Sequence, residues 1–414
     1  MRAWIPLCLG ALVFVTSVHA QSDARAGFLE AVRIMAYAHP ATQSAARNLD
    51  AAAQDQNAAR WQRFPTPSFQ SLSPQGGAVG DKTNRLVLEQ PLYAGGRIDA
   101  GIAAADHRLT AGQHQHLQVA QETAIKLVNT WYDWLRLKDR VGVQQEGVEA
   151  HRKLRQQIER RAQEGVSTEI DLALAAARLS QVQSELSQTQ SALSATQEQL
   201  RQLAGEHLPM LIAAGTALQS QALPQPRTYW LETAQLRDPQ LAKLAAELLA
   251  ADADIRAKQG QLMPTVSVMV DRNFTGLQQG TRTWLQVSVQ PGAGLSSVAA
   301  IRAAVARKES AAETRRTAEL ELRQNLAADL ASHQAAREQM GVASLLRQST
   351  QDVADSYARQ FVAGRKSWLE VLNAVREAMQ ARLSVMDAQA LLGQTAWRLH
   401  LRAFGLETSP GAVL

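Results

Sequence analysis

Leucine recurs every seven residues between Glu169 and Gly205, at Leu172, Leu179, Leu186, Leu193 and Leu200. A second apolar or small column follows three residues later through Ala175, Val182 and Leu203, with Thr189 and Thr196 between. This spacing predicts a helix over 169–204 packed with coiled-coil geometry. Just before it, Glu164-Gly165-Val166-Ser167-Thr168 reads as a turn. Gly165 can take the positive φ that ends one helix, and Ser167 or Thr168 can cap the next. The pattern returns 199 residues later. Gly364 stands where Gly165 stood, and Val371, Ala378, Val385, Leu392 and Leu399 stand where the leucines stood. A repeat of that length implies two copies of one large structural half, 21–205 and 231–405.

The rest of each half follows from apolar periodicity and proline placement. In the first, a helix over 28–63 is re-aimed at His39-Pro40 and ended by Pro65 and Pro67. Strands follow over 66–73 and 83–91, with Leu86 and Leu88 facing one way and Arg85, Val87 and Glu89 the other. A helix over 94–162 comes next, about 69 residues and on the order of 100 Å long. The second half replays this order as a helix over 231–262, strands over 265–273 and 282–290, and helices over 293–361 and 367–402. Asp238-Pro239 matches His39-Pro40, and Gln290-Pro291 matches Gln90-Pro91. No proline occurs between Pro91 and Pro209 or between Pro291 and Pro410. A proline inside a helix costs about 3 kcal/mol, so these deserts suit long helices. Residues 206–230, with Pro209, Pro224 and Pro226, read as a linker, and 406–414 as a tail.

The strands raise a closure problem. Val266, Val268 and Val270 alternate with Ser267, Met269 and Asp271, and Leu285, Val287 and Val289 alternate with Gln286, Ser288 and Gln290. Each strand thus has one apolar face and is near the length of a tilted membrane strand. Four such strands cannot close a barrel, and an open sheet in a bilayer leaves its edges unpaired. The physical solution is several chains sharing one barrel. Phe69, Tyr93, Phe274 and Trp284 fall where an aromatic girdle would lie.

Composition narrows the setting. Residues 1–20 have a basic start, an apolar core and small residues before Ala20, as in a secretory signal cleaved after Ala20. The apolar run is too short for a membrane anchor. Cys8, in that segment, is the sole cysteine, so disulfides and thiolate chemistry are not expected. The formal charge is +5, or +4 without Arg2, and basic residues alternate with acidic ones. That argues against nucleic acid as a partner. No active site, cofactor or metal is expected. His114 and His116 are two apart and point to different helix faces, and Gly95-Gly96 lacks a phosphate-binding pattern after it. Trp131, Tyr132 and Trp134 are expected to pack between helices, with a bore-lining role as the alternative.

These residues together resemble the TolC-like outer membrane channels of Gram-negative bacteria, over about residues 28–405. The resemblance rests on the openings Ala38-His39-Pro40 and Arg237-Asp238-Pro239 and on the run Leu-Glu-Gln-Pro-Leu-Tyr-Ala-Gly-Gly-Arg at 88–97. The paired turns around Gly165 and Gly364 complete it. It implies a mainly α fold with a small membrane β-barrel contribution. A homotrimer would form a 12-stranded barrel among outer membrane lipid, continued by an α-helical periplasmic barrel. The chain would be a passive duct, closed at rest at its periplasmic entrance. A periplasmic adaptor and an inner-membrane transporter, an ABC exporter by preference, would dock there and supply the energy. Adaptor docking carries over to Gly165, Val166, Ser167, Gly364, Arg365 and Lys366. The entrance positions carry over to Glu370 and to Asn373, where the family's second acidic ring is missing. Asp171 matches a carboxylate that helps hold the closed state, with Lys366 or Arg365 as its partner. The bland reading of Glu370, Asp171 and Lys366 is ordinary solvated coiled-coil charges.

The short linker and the end of the chain soon after Gly405 depart from the family pattern, and the glycine-rich run Pro291–Ser297 resembles the branch associated with type I secretion of large adhesins. Small-molecule efflux is the alternative. A reading of another class is a soluble periplasmic coiled-coil adaptor or spacer, but the chain has no room for a lipoyl-like or β-barrel domain between its helices.

Overall fold

The computed structural model describes residues 26–72, 83–215, 226–274, 279–290, 292 and 296–406. The signal with Ala20 lies outside the described residues, as do all of the C-terminal tail but Leu406 and most of the glycine-rich run. The chain is mainly helical and carries one four-stranded sheet.

Helix α1 spans 26–38 and α2 spans Pro40–Trp61. The break between them has a local cause. Pro40 has no N–H to continue the helix, and the His39 Nδ1 accepts from the Ala41 N–H at 3.2 Å, capping α2. The second repeat breaks at its matching place. After the 3₁₀ turn Gly205–His207, helix α5 spans Leu208–Gly215, α6 spans Arg227–Arg237 and α7 spans Pro239–Gly260. Asp238 caps α7 by accepting from the Leu241 N–H at 2.8 Å, with Pro239 in the first turn.

The long helices are α3 (Arg97–Gln163), α4 (Glu169–Ala204), α8 (Ser296–Val362) and α9 (Trp368–Phe404). Among the described residues, no helix is long and apolar enough to cross a membrane. Of residues 206–230, expected as a linker, 206–215 and 227–230 are helical. Pro209 fits there because it falls in the first turn of α5, where its missing N–H has no helical acceptor. Leu211 of α5 is fully buried, so this stretch belongs to the core.

The strands are β1 (Thr66–Leu72), β2 (Thr83–Tyr93), β3 (Thr265–Asn273) and β4 (Gly280–Ser288). They pair antiparallel in the order β1-β2-β3-β4, so the β2–β3 ladder joins the two sequence repeats. The register shifts between Pro91 and Tyr93, where a proline cannot donate to the ladder. Cross-strand pairs fix the faces. Leu86, Leu88, Val266, Val268, Val270, Leu285 and Val287 share one face with Phe69 and Tyr93. Much of this face is open, with Leu285 at 60% and Val287 at 63% exposure. The other face is polar. Asp271 is buried there and pairs with Arg85 at 3.2 Å, and Ser267 donates to Glu89 at 3.1 Å. Trp284 pairs with Met269 and lies on this polar face, which corrects its place in an apolar girdle. Among the described residues, β1 and β4 each keep one unpaired edge.

The chain forms two compact units, and each draws on both sequence repeats. One comprises 43–119 and 238–322 and holds the sheet. Its helices meet through small residues such as Ala104, Ala111, Ala250 and Ala253, with ion pairs Arg108–Asp254 and Lys308–Asp252 at the rim. The other comprises the chain to Thr42, 120–237 and 323 onward. Its core gathers Phe28, Val32, Met35, Leu127, Trp131, Leu200, Leu211, Trp397 and Leu401. Phe28 lies 4.9 Å from Trp397 and 6.1 Å from Trp131, and Trp131 lies 5.0 Å from Trp134, ring centre to ring centre. The Trp131–Trp134 group therefore packs between helices. Gly215 is required beside it, because any Cβ there would fall inside the Trp131 indole.

The leucine column of α4 is unequally used. Leu179 and Leu200 are buried while Leu172, Leu186 and Leu193 are half-buried, whereas all five matching residues of α9 are buried. In this unit α8 leaves Val342, Leu345, Leu346 and Val353 open, at roughly helical spacing.

Candidate functional site

The two turns that reverse the long helices are built alike. In the first, the Gly165 N–H donates to Ala162 O at 3.0 Å and the Val166 N–H to Arg161 O at 2.8 Å. In the second, the Gly364 N–H donates to Phe361 O at 3.0 Å and the Arg365 N–H to Gln360 O at 2.9 Å. This paired bonding satisfies the last carbonyls of α3 and α8, and it needs a residue of positive φ. Gly165 and Gly364 supply it at 75° and 71°.

Each returning helix then starts with a reciprocal cap. Thr168 Oγ1 accepts from the Asp171 N–H at 3.1 Å, while the Thr168 N–H donates to Asp171 Oδ2 at 3.0 Å. Ser367 Oγ accepts from the Glu370 N–H at 3.3 Å, while the Ser367 N–H donates to Glu370 Oε2 at 3.0 Å. Asp171 and Glu370 are thus equivalent residues of the repeat, each the third residue of its helix. The capping-box spacing of both could have been read from the sequence.

The second tip adds a cation. Lys366 Nζ lies 2.7 Å from Glu370 Oε1 and 4.4 Å from the centre of the Tyr357 ring. The Lys366 ammonium, then the Ser367 amide and hydroxyl, push the Glu370 carboxyl down to about 2, and Glu370 raises Lys366 in turn. Asp171 is lowered by the Thr168 backbone and side chain, with a further contribution from the Trp368 side chain. Within one chain, then, Lys366 pairs with Glu370, and Asp171 is held by Thr168 and Trp368. Arg365, Val166 and Asn373 are exposed, Ser167 is half-buried, and Gly165 and Gly364 sit at the apices.

Four residues absent from the sequence reading tie the tips together. Arg161 of α3 donates to Phe361 O of α8 at 3.0 Å and lies 4.1 Å over the Phe361 ring. Phe361 packs with Leu154, Ile158, Ala175, Val371 and Leu372, against Tyr357 and Trp368. Their signal was faint: one basic residue, Arg161, four before Gly165 and three aromatics, Tyr357, Phe361 and Trp368, within seven residues of Gly364. The surface of the tips keeps Val166, Ile170 and Val362 at 70% exposure or more.

Nothing here is arranged for catalysis, and among the described residues no cluster could hold a metal ion. Replacing Ser367 by alanine removes the cap acceptor and should cost about 1 kcal/mol. Faster amide exchange in the first turn of α9, with α4 unaffected, checks this. Equal exchange in both helices would contradict it.

A family model described as outer membrane efflux protein matches residues 36–206 and 230–401. No curated protein matches the chain in a sequence comparison. Among solved structures, the outer-membrane channel OprN is similar with a TM-score of 0.78 and 19% identity, over 92% of this chain and 90% of that one. The outer membrane protein VceC of Vibrio cholerae is similar with a TM-score of 0.76 and 16% identity, over 91% and 96%. The CmeC outer membrane channel of Campylobacter jejuni is similar with a TM-score of 0.78 and 14% identity, over 92% and 86%. At these identities the likeness is one of fold.

Proposed function

We propose, from the premise that the chain belongs to the outer membrane efflux protein family, that it works as a homotrimeric passive export duct fed from its tips. The family is one of non-enzymatic outer membrane channels whose structures extend into the periplasm. The observation that carries the trimer is the sheet. Four strands with one open apolar face and two unpaired edges are stable in a bilayer only when other copies pair with those edges. Three copies make 12 strands. The open apolar row on α8 supports the same reading, since it needs a cover.

The tips are the entrance and the place where a periplasmic adaptor and an inner-membrane transporter engage. Gly165, Val166, Ser167, Gly364 and Arg365 present the docking surface, and Glu370, Lys366, Asp171 and Asn373 line the gate. Lys366 neutralises Glu370 inside each chain, and Asn373 adds no charge, so the mouth holds cations weakly.

For cargo, the family's description favours small-molecule efflux. Type I secretion of a large adhesin, with an ABC exporter as partner, is a second reading and rests on the Pro291–Ser297 run. Deleting the chain from its host separates the two. Efflux predicts greater sensitivity to small toxic compounds with unchanged surface protein. Secretion predicts loss of one large surface protein with unchanged sensitivity.

A further inference from the structure

Trp284 is the residue of the sheet that neither lipid nor a packed core explains. An aromatic that anchors a barrel at the membrane surface sits near a strand end and points to lipid. Trp284 is the fifth of the nine residues of β4, and it points to the polar face. A core tryptophan is buried among other rings, as Trp131 and Trp230 are. Trp284 is 37% exposed, and its ring meets no other aromatic among the described residues.

The polar face is the concave one. On β2, Val87 is 4% exposed on the polar side, whereas its neighbours Leu86 and Leu88 on the apolar side are 39% and 36% exposed. On β3, Ser267 and Asp271 are buried on the polar side, while Val266, Val268 and Val270 on the other are half-buried. The sheet therefore curls round its polar side. When further copies complete the barrel, the apolar face meets lipid and the polar face lines the bore.

The groups around Trp284 leave an apolar island in that wall. Met269 lies directly across the ladder, with Ser267 and Asp271 on the diagonals. Directly opposed side chains stand about 5 Å apart at Cβ. The diagonal groups are already engaged, Asp271 with Arg85 at 3.2 Å and Ser267 with Glu89 at 3.1 Å. Trp284 and Met269 thus present an indole face and a thioether beside polar groups that satisfy each other. Such a pair binds flat aromatic rings through stacking and a polarisable sulfur, and the indole also attracts a delocalised cation. It offers little to a saturated chain.

We infer that Trp284, with Met269, is a cargo-selecting contact in the bore, and that the cargo it favours is a small flat aromatic molecule. In a homotrimer the pair recurs in every copy, so the contact surrounds the bore midway along the strands. The inference deepens the proposed export of small molecules and rests on the duct reading.

The test records single channels of the full-length protein in planar bilayers. Ethidium, a flat aromatic cation, is compared with tetrabutylammonium, a saturated cation of the same charge. Ethidium should reduce the current at about one tenth of the concentration that tetrabutylammonium needs. Trp284→Ala should abolish that difference, and Trp284→Phe should keep most of it. Equal block by the two cations in the wild type would overturn the inference, and that comparison depends on no variant. A difference that survives intact in Trp284→Ala would also overturn it, by placing the aromatic contact elsewhere. If Trp284→Ala does not assemble, Met269→Ala takes its place: a reduced difference supports the contact, and an unchanged one overturns it. Conductance without any preference rejects only this contact, whereas absence of conductance rejects the duct.

Discussion

Replacing Trp131 by alanine should destabilise the unit that contains it by about 4 kcal/mol, the largest single effect expected in the chain. Trp131 is fully buried, stacked near Phe28 and Trp134, and seated on Gly215. Its removal deletes a large apolar area and leaves a cavity that α3, α5 and α1 cannot all close. Trp131→Phe keeps most of the ring and should cost about half as much. Thermal unfolding of the purified protein distinguishes them. A shift for Trp131→Ala no larger than for an exposed site such as Leu236→Ala would mean that this cluster is not the core of the unit.

Acid should act through His400. Its ring is buried against Trp397 and Phe404, and neither nitrogen has a hydrogen-bond partner among the described residues. Burial pushes its pKa down to about 4. An unfolded histidine titrates at its ordinary value, so between the two pH values the unfolded chain binds the extra proton. Stability is then full above about 6.5 and falls as the pH drops toward about 4, by about 3 kcal/mol across that window. His333 is also lowered by burial and adds in the same direction. Unfolding midpoints at pH 7 and pH 4.5 should differ strongly in the wild type and much less in His400→Phe. Equal pH dependence in both would remove His400 from the account.

Much of the fold was legible because it rests on period and punctuation. The leucine column of α4 and its copy in α9 required no knowledge of partners, nor did the proline deserts over α3 and α8. The four strands followed from alternation. Face assignment was harder. Trp284 was placed with the apolar girdle by its position near a strand end, but its face is set by the Met269 pairing across the ladder. The α5 helix was missed because Pro209 was read as a breaker, and only its first-turn position makes it compatible with a helix.

The tips were half legible. Gly165, Gly364 and the reversals around them are local features. The partner of Lys366 depends on side-chain direction. Helical spacing of four puts it beside Glu370, and the Tyr357 ring from α8 holds it there. That contact comes from tertiary packing, as does the Arg161–Phe361 tie.

The central claim is that the sheet of one chain is completed by other copies to make a transmembrane duct. Its most direct test is single-channel recording of the purified protein in planar bilayers, with the mass of the assembly determined on the same sample. The account predicts a stable trimer with discrete, small conductance steps and only weak cation preference. A monomer or dimer that remains soluble without detergent and produces no steps would contradict it, and would support the periplasmic coiled-coil reading.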